Sequence, residues 1–345
     1  MHAILGFLPL RLIVSLTLLL SGAWGTLAIY FQGPFQSARP LLWLACTVWA
    51  VLSMAALVLL WTRQGPRALA AYALAFTVLY VWWLTIRPSD ARNWEPEVSR
   101  HISAEIDGST VTLHNVRNFD WRSETDYTER WETRRYDLNA LRSVDMAVSY
   151  WMGPAIAHTL VSFGFDDGQG GTEHLVFSIE IRKERGEAFS TTGGFFKQFE
   201  LSLVAADERD VLRVRTNARG EDVYLYRVAM GRDAARSLFL AYIGKAGALA
   251  AQPRFYHTVT ANCTTIVYEM ARRIVQGLPM DWRLLASGYL PEYLYRIGGL
   301  AGRGDLETLR AAGRVTERAK LADHDPQFSQ AIRLGIPGMG TEAQP

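Results

Sequence analysis

Three uncharged apolar runs at the start of the chain limit its possible folds more than any other feature. Leu12–Phe31, Leu41–Trp61 and Ala68–Ile86 contain no Asp, Glu, Lys, Arg or His. A helix crossing the hydrocarbon core of a bilayer needs roughly 20 apolar residues, and each run meets that length. Trp43, Trp61, Tyr80, Trp82 and Trp83 lie toward the ends of the runs, where aromatic side chains suit the lipid–water interface. The first run exceeds the roughly 7–15 apolar residues of a signal peptide, and two more spans follow it. Residues 1–86 therefore read as a membrane anchor with spans at about 12–31, 41–61 and 68–86. The connector 62–67 holds Arg63 and Arg67, whereas 32–40 holds only Arg39. Positive charge is retained on the inner side, so everything after Ile86 is expected outside. Ionisable residues are the usual mark of a polar pathway, and the spans have none, so they read as an anchor rather than a conduit.

The rest of the chain is polar enough to fold in water. Residues 87–110 read as a tether, 111–298 as an α+β domain, and 299–345 as a Gly-, Ala- and charge-rich tail, partly disordered. Thr159–Phe165 and His174–Arg182 alternate apolar and polar residues around the Asp/Gly-rich turn DDGQGG, the signature of an antiparallel hairpin. His174, Ser178, Glu180 and Arg182 fall on one face of the second strand. Val111–His114, Val211–Thr216 and Asp222–Val228 are further strand candidates. Asp126–Asp137 reads as irregular or edge structure, and Arg232–Ala250 has helical spacing. The charge run Asp207–Asp210 reads as a solvated loop, within which Arg209 is a candidate for binding an acidic group.

The formal net charge of +2 excludes the strong basic stripe of a nucleic-acid binder. No Cys/His/Asp/Glu cluster has metal-ligand spacing, and neither a metal nor a cofactor is expected. The two cysteines, Cys46 in an apolar run and Cys263 in the soluble part, make no disulfide framework.

Cys263 carries the chemistry. Ile266, Val267, Met270 and Ile274 follow it at helical spacing, with Thr260 or Asn262 as the cap and Gly277 as a stop. A thiol in the first turn of a helix loses its proton readily, because unpaired N–H groups and the helix dipole favour the anion. The same N–H groups suit an oxyanion. His158, at the start of a strand, is the candidate base, and Glu180 the candidate orienting group, with His174 and Ser178 as alternatives. Tyr256 and Asn262 are placed to shape the approach to Cys263. A helix-borne Cys facing a strand-borne His, with a polar residue on the next strand, is the papain-type layout, here with His before Cys.

The ordered segments AHTLVSFGF, SIEIRKERGE, ADERDVLRVRT, EDVYLYRV and FYHTVTANCTT resemble the Lnb N-terminal periplasmic domain family, over roughly Asn115–Val275. The named members of that family are bacterial lipoprotein intramolecular transacylases. The resemblance implies a circularly permuted papain-like thiol fold with a central antiparallel sheet, and catalytic roles for Cys263 and His158. It also implies a bacterial inner-membrane protein with its C-terminal domain in the periplasm. A similar Asn-Cys pair at a helix start occurs in the lecithin–retinol acyltransferase group. The expected activity is a cysteine acyltransferase or acyl hydrolase acting on a membrane lipid or lipoprotein ester. A cysteine amidase or peptidase on cell-wall peptides and a non-catalytic envelope scaffold are the alternatives. No oligomeric state is implied.

Overall fold

The computed structural model describes residues 8–339. The chain divides into two compact units: residues 1–91 with 189–199, and residues 92–188 with 200–345.

In the first unit, α1 (Leu8–Gln32), α2 (Arg39–Leu60) and α3 (Gly65–Thr85) are long and apolar enough to cross a membrane. Small residues let them approach closely, as is common where helices pack without a hydrophobic driving force. A Cβ on Gly25 would stand 2.3 Å from the Trp49 ring nitrogen. Trp49 Nε1 donates to the Gly22 carbonyl at 3.1 Å, and the Ser21 and Tyr72 hydroxyls meet at 2.8 Å. The loop 189–199 belongs to this unit. Phe196 stacks on Phe31 at 5.6 Å, and Gln32 Nε2 donates to the Lys197 carbonyl at 2.9 Å. Lys197 Nζ donates to the Trp83 carbonyl at 2.8 Å, a cation at the C-terminal end of α3 where the helix dipole favours one.

The second unit is built on an eight-stranded sheet. Its strands are β1 (Ser103–Asp107), β2 (Thr110–Arg117), β5 (Trp131–Asp137), β6 (Leu141–Met152), β7 (Ile156–Asp166), β8 (Thr172–Arg182), β9 (Glu200–Asp207) and β10 (Asp222–Arg227). A small ribbon of β3 (Asp120–Trp121) and β4 (Tyr127–Thr128) stands apart. The order is β1-β2-β9-β8-β7-β6-β10, with β5 also paired to β2. The sheet is mixed rather than wholly antiparallel, because β2 meets β9 in parallel through Arg117 and Ala206. The expected hairpin is present as β7 and β8, in register from Leu160↔Ser178 to Asp166↔Thr172.

Both faces of the sheet are covered. Val161, Phe163, Phe165, Leu175 and Phe177 pack against α5 (Arg232–Ala251) and α6 (Cys263–Ile274), through Phe239, Tyr242, Ile266 and Met270. Ala147, Leu160, Val176 and Val204 pack on the other side against Phe328, Ile332 and Ile336. Those last residues lie in the segment expected as a partly disordered tail. Among residues 299–339 it instead forms α8 (Leu306–Gly313), α9 (Thr316–Leu321) and α10 (Phe328–Ala331), after α7 (Leu290–Arg296). Its apolar side chains complete the second core, and residues 340–345 lie outside the described part. The stretch expected as a tether is also held down: Trp94, Val98 and Ile102 are buried and β1 begins at Ser103.

Two local readings change. Val211–Thr216 is not a strand: α4 (Glu208–Arg213) runs into a π-turn over Val214–Ala218. The charge run is not a solvated loop, since Glu208 and Asp210 are fully buried. Asp207 caps α4, and Asp210 accepts a two-pronged ion pair from Arg117, at 2.8 and 3.0 Å.

Candidate functional site

The site forms where two strands part. The β7–β8 ladder stops at Leu160↔Ser178, yet β7 continues to Ile156 beside β6 and β8 continues to Arg182 beside β9. His158 lies on β7 just beyond that point, and α6 brings Cys263 to it. Asn262 is the cap of α6. Its Oδ1 accepts from the Thr264 and Thr265 amides at 3.0 and 2.9 Å, and the Thr265 hydroxyl accepts from the Asn262 amide at 3.0 Å. This reciprocal box sets the helix start and so positions the sulfur. The Asn262 side chain is fully engaged, with Nδ2 donating to the Thr258 carbonyl at 2.8 Å. Two of the first-turn amides expected to face an oxyanion are thereby occupied, which leaves the Cys263 amide.

The imidazole of His158 is held by β8 and lies beside the Cys263 thiol. Nε2 lies 2.7 Å from Ser178 Oγ and 3.1 Å from Glu180 Oε1, and the thiol is close enough to the ring to raise its pKa. Ser178 Oγ in turn donates to Glu180 Oε1 at 2.6 Å. The Thr159 main-chain amide also hydrogen-bonds the sulfur, and the Thr264 hydroxyl stands 3.9 Å from it. Of the three groups weighed for orienting His158, Ser178 and Glu180 are both in place. His174 is not: it pairs with Gly164 farther along the hairpin. Arg209 is exposed and pairs with Asp207, at the opposite end of the β8–β9 ladder from Glu180. Tyr256 packs beside Cys263 in the same cluster.

Electrostatics favour a thiolate facing an imidazolium. Burial opposes charge on His158, but the Glu180 carboxylate and hydrogen bonding together outweigh it and the pKa is pushed up to about 9. Burial likewise opposes the thiolate, yet hydrogen bonding and attraction to His158 bring Cys263 below its ordinary value. For Glu180 the burial penalty is overcome by His158 and Arg215, which hold the carboxyl well below its usual range. Cys263 and His158 are both buried, with 9% and 8% of their surface exposed, so bulk water is largely excluded from the pair.

Sequence reasoning missed Arg215. It is buried in the π-turn and reaches Glu180 at 3.0 Å and Glu221 at 3.2 Å. Ser149, beside His158 on β6, donates to Glu221. π-turns favour functional positions because they redirect one side chain. The only sequence signal for Arg215 is its place in ADERDVLRVRT, and read as a strand that segment aims it wrongly. A cleft of about 260 Å3 lined by Trp121, Arg122, Arg213 and Asp323 shares no residue with this cluster.

Residues 127–288 match the Lnb N-terminal periplasmic domain, a span that includes His158, Ser178, Glu180, Arg215 and Cys263. No curated protein and no solved structure matches the chain. Three helices of membrane-spanning length and a periplasmic-domain family together fit an inner-membrane protein with a periplasmic C-terminal domain. Over residues 127–288 the globular part of this chain is similar to the Lnb N-terminal periplasmic domain family.

Proposed function

We propose that the protein is a membrane-anchored cysteine acyltransferase or acyl hydrolase acting on lipid or lipoprotein esters at the periplasmic side. The observation that carries this reading is the hydrogen-bonded Cys263–His158 pair at the start of a capped helix, with Nε2 of His158 held by Ser178 and Glu180. In this reading the layout is papain-like, and His preceding Cys in the chain corresponds to a circular permutation.

The Cys263 thiolate attacks the ester carbonyl carbon, and a C–S bond forms as the carbonyl oxygen becomes an oxyanion. The Cys263 amide, the first-turn N–H that the cap leaves open, is the donor to receive it. The C–O bond then breaks, and the departing alkoxide takes the proton from His158. A thioester remains. An amine or water attacks it, His158 accepts the proton of the attacking group, and the thiolate leaves. Glu180, with Arg215 behind it, positions the imidazole and favours its charged form. Multiple membrane passes keep this chemistry beside its substrate, since tethering raises effective concentration without a new contact.

The test is mass spectrometry of membranes holding the full-length chain. An acyl adduct is expected on the peptide containing Cys263, absent in Cys263→Ala. With a labelled lipoprotein, an acyl group is expected to leave the glycerol ester, and its gain on the N-terminal amine separates transferase from hydrolase. Labelled peptidoglycan peptides report the amidase alternative. Full cellular function in Cys263→Ala, with no adduct on the wild type, sinks the catalytic reading and leaves the scaffold.

A further inference from the structure

Large apolar side chains reach solvent on two adjoining segments next to His158. The β6–β7 hairpin exposes Trp151, Met152 and Ile156, and the stretch before α7 exposes Met280, Trp282 and Leu285, with Met280 at 75% and Trp282 at 57%. The two segments are stitched together. Ser287 Oγ donates to the Ala157 carbonyl at 2.6 Å, the Gly288 amide donates to the Ala155 carbonyl at 3.1 Å, and Tyr150 donates to the Gly288 carbonyl at 2.6 Å. Gly288 is required there, because a Cβ would sit 2.0 Å from the Pro154 carbonyl oxygen. A water-facing domain rarely exposes so many large apolar residues together.

Residue type and charge specify the partner. Trp and Met beside aliphatic side chains suit the headgroup–acyl boundary of a bilayer. Arg272, Arg273, Arg283 and Arg296 lie within or close to the 280–285 segment in the chain, with Glu269 and Asp281 paired to three of them, so positive charge is in excess there. The short stretch from Thr85 to Arg92 joins this unit to an apolar helix, and so few residues span at most about 25 Å. We infer that the β6–β7 hairpin tip and the Met280–Leu285 segment form a docking surface for an anionic lipid bilayer. Apolar side chains enter the acyl boundary and the arginines meet the headgroups. The residues leading into His158 belong to that surface, so a lipid-borne ester is received from the membrane side.

This surface is tested without reference to catalysis. The full-length chain is reconstituted in nanodiscs containing phosphatidylglycerol and a lipid with a diazirine on its acyl chain, then irradiated and mapped by peptide mass spectrometry. Leu321, 91% exposed and outside the patch, serves as the tethered control. Lipid adducts at 151–156 and 280–285 are expected at about tenfold the yield at Leu321. That excess is expected to fall severalfold when zwitterionic lipid replaces phosphatidylglycerol, as basic residues contribute about 1 kcal/mol each near an anionic surface. Yields equal to those at Leu321, adducts confined to residues 8–85, or no response to headgroup charge overturn the proposal. Cys263→Ala is expected to give the same adduct map, so a failure here is distinguishable from failure of the acyl-transfer reading.

Discussion

Two buried polar clusters share one face of the same sheet, separated by apolar Ala147, Leu160, Val176 and Val204. One joins His158, Ser178, Glu180 and Arg215 to the Cys263 thiol. The other joins Asp145, Ser162, His174 and Glu208 to Arg333 of the C-terminal segment. Arg333 reaches Asp145 at 2.8 Å and Glu208 at 2.6 Å, Arg227 also meets Asp145, and Ser162 donates to Glu208 at 2.7 Å. Each cluster has one histidine, and the two histidines differ. His158 is held by Ser178 and Glu180 and is pushed up to about 9, whereas among the described residues His174 has no hydrogen-bond partner at either ring nitrogen. Burial and the nearby Arg333 push His174 down to about 4, so it stays neutral. A buried charge network is therefore not a mark of chemistry in itself. What distinguishes the first cluster is a nucleophile at its end and a histidine held charged beside it.

The sharpest way to break the comparison is to remove one key group from each cluster. Cys263→Ala is expected to lower acyl transfer by a factor on the order of 10^3 or more. Its melting temperature should stay close to wild type, because a small buried side chain replaces another. Arg333→Met should do the reverse. It strands the buried Glu208 carboxylate and leaves Asp145 to Arg227 alone, and breaking such a pair costs roughly 3–5 kcal/mol, read as a lower denaturation midpoint at neutral pH. If Arg333→Met instead left stability intact and abolished turnover, the division between the clusters would be wrong.

Glu180→Gln is the next largest effect, with turnover expected to fall by roughly 10–100-fold. The diagnostic readout is the pH profile. Activity of the wild type should decline as His158 loses its proton near pH 9, and without the carboxylate that alkaline limb should move to lower pH. An unshifted limb would mean that Glu180 does not act through the imidazole. The same coupling bears on stability: raised from 6.5, the His158 pKa contributes stability that is full below pH 6.5 and lost as the pH rises through about 9.

The remaining effects belong to the second cluster and appear on the acid side. Glu208 is depressed to about 2, where burial is outweighed by Arg333, so its contribution holds above pH 4.5 and is lost as the pH falls through about 2. His174 is held neutral in the fold, while an unfolded chain takes up that proton below pH 6.5. Stability should therefore fall between pH 6.5 and about 4, by on the order of 3 kcal/mol. His174→Gln should flatten that slope in acid denaturation curves and leave turnover within about twofold. A large loss of turnover would return His174 to the site.

Local pattern made parts of this molecule legible. The apolar runs become α1, α2 and α3, and the alternation around DDGQGG becomes β7 and β8. Asn262-Cys263 becomes a capped helix start, because capping depends on residues within one turn. Strands β6 and β9 went unread. Both are buried almost throughout, so they lack the half-exposed alternation that marks a strand with one wet face. The charge run 207–210 was misread for a related reason. Its acids are buried because Arg117 and Arg333 reach them, and those partners lie about 90 to 125 residues away in the chain.

The sequence by itself determined the apolar helices, the hairpin and a thiol at a helix start, since each is written in neighbours a few residues apart. Only the tertiary structure decided which histidine meets that thiol. His158 and His174 are both buried at polar-face positions of paired strands. The parting of β7 from β8 beyond Leu160↔Ser178 admits α6 beside one of them, while Arg333 closes over the other. Strand register and the docking of distant segments set those distances, and no local spacing in the chain encodes them.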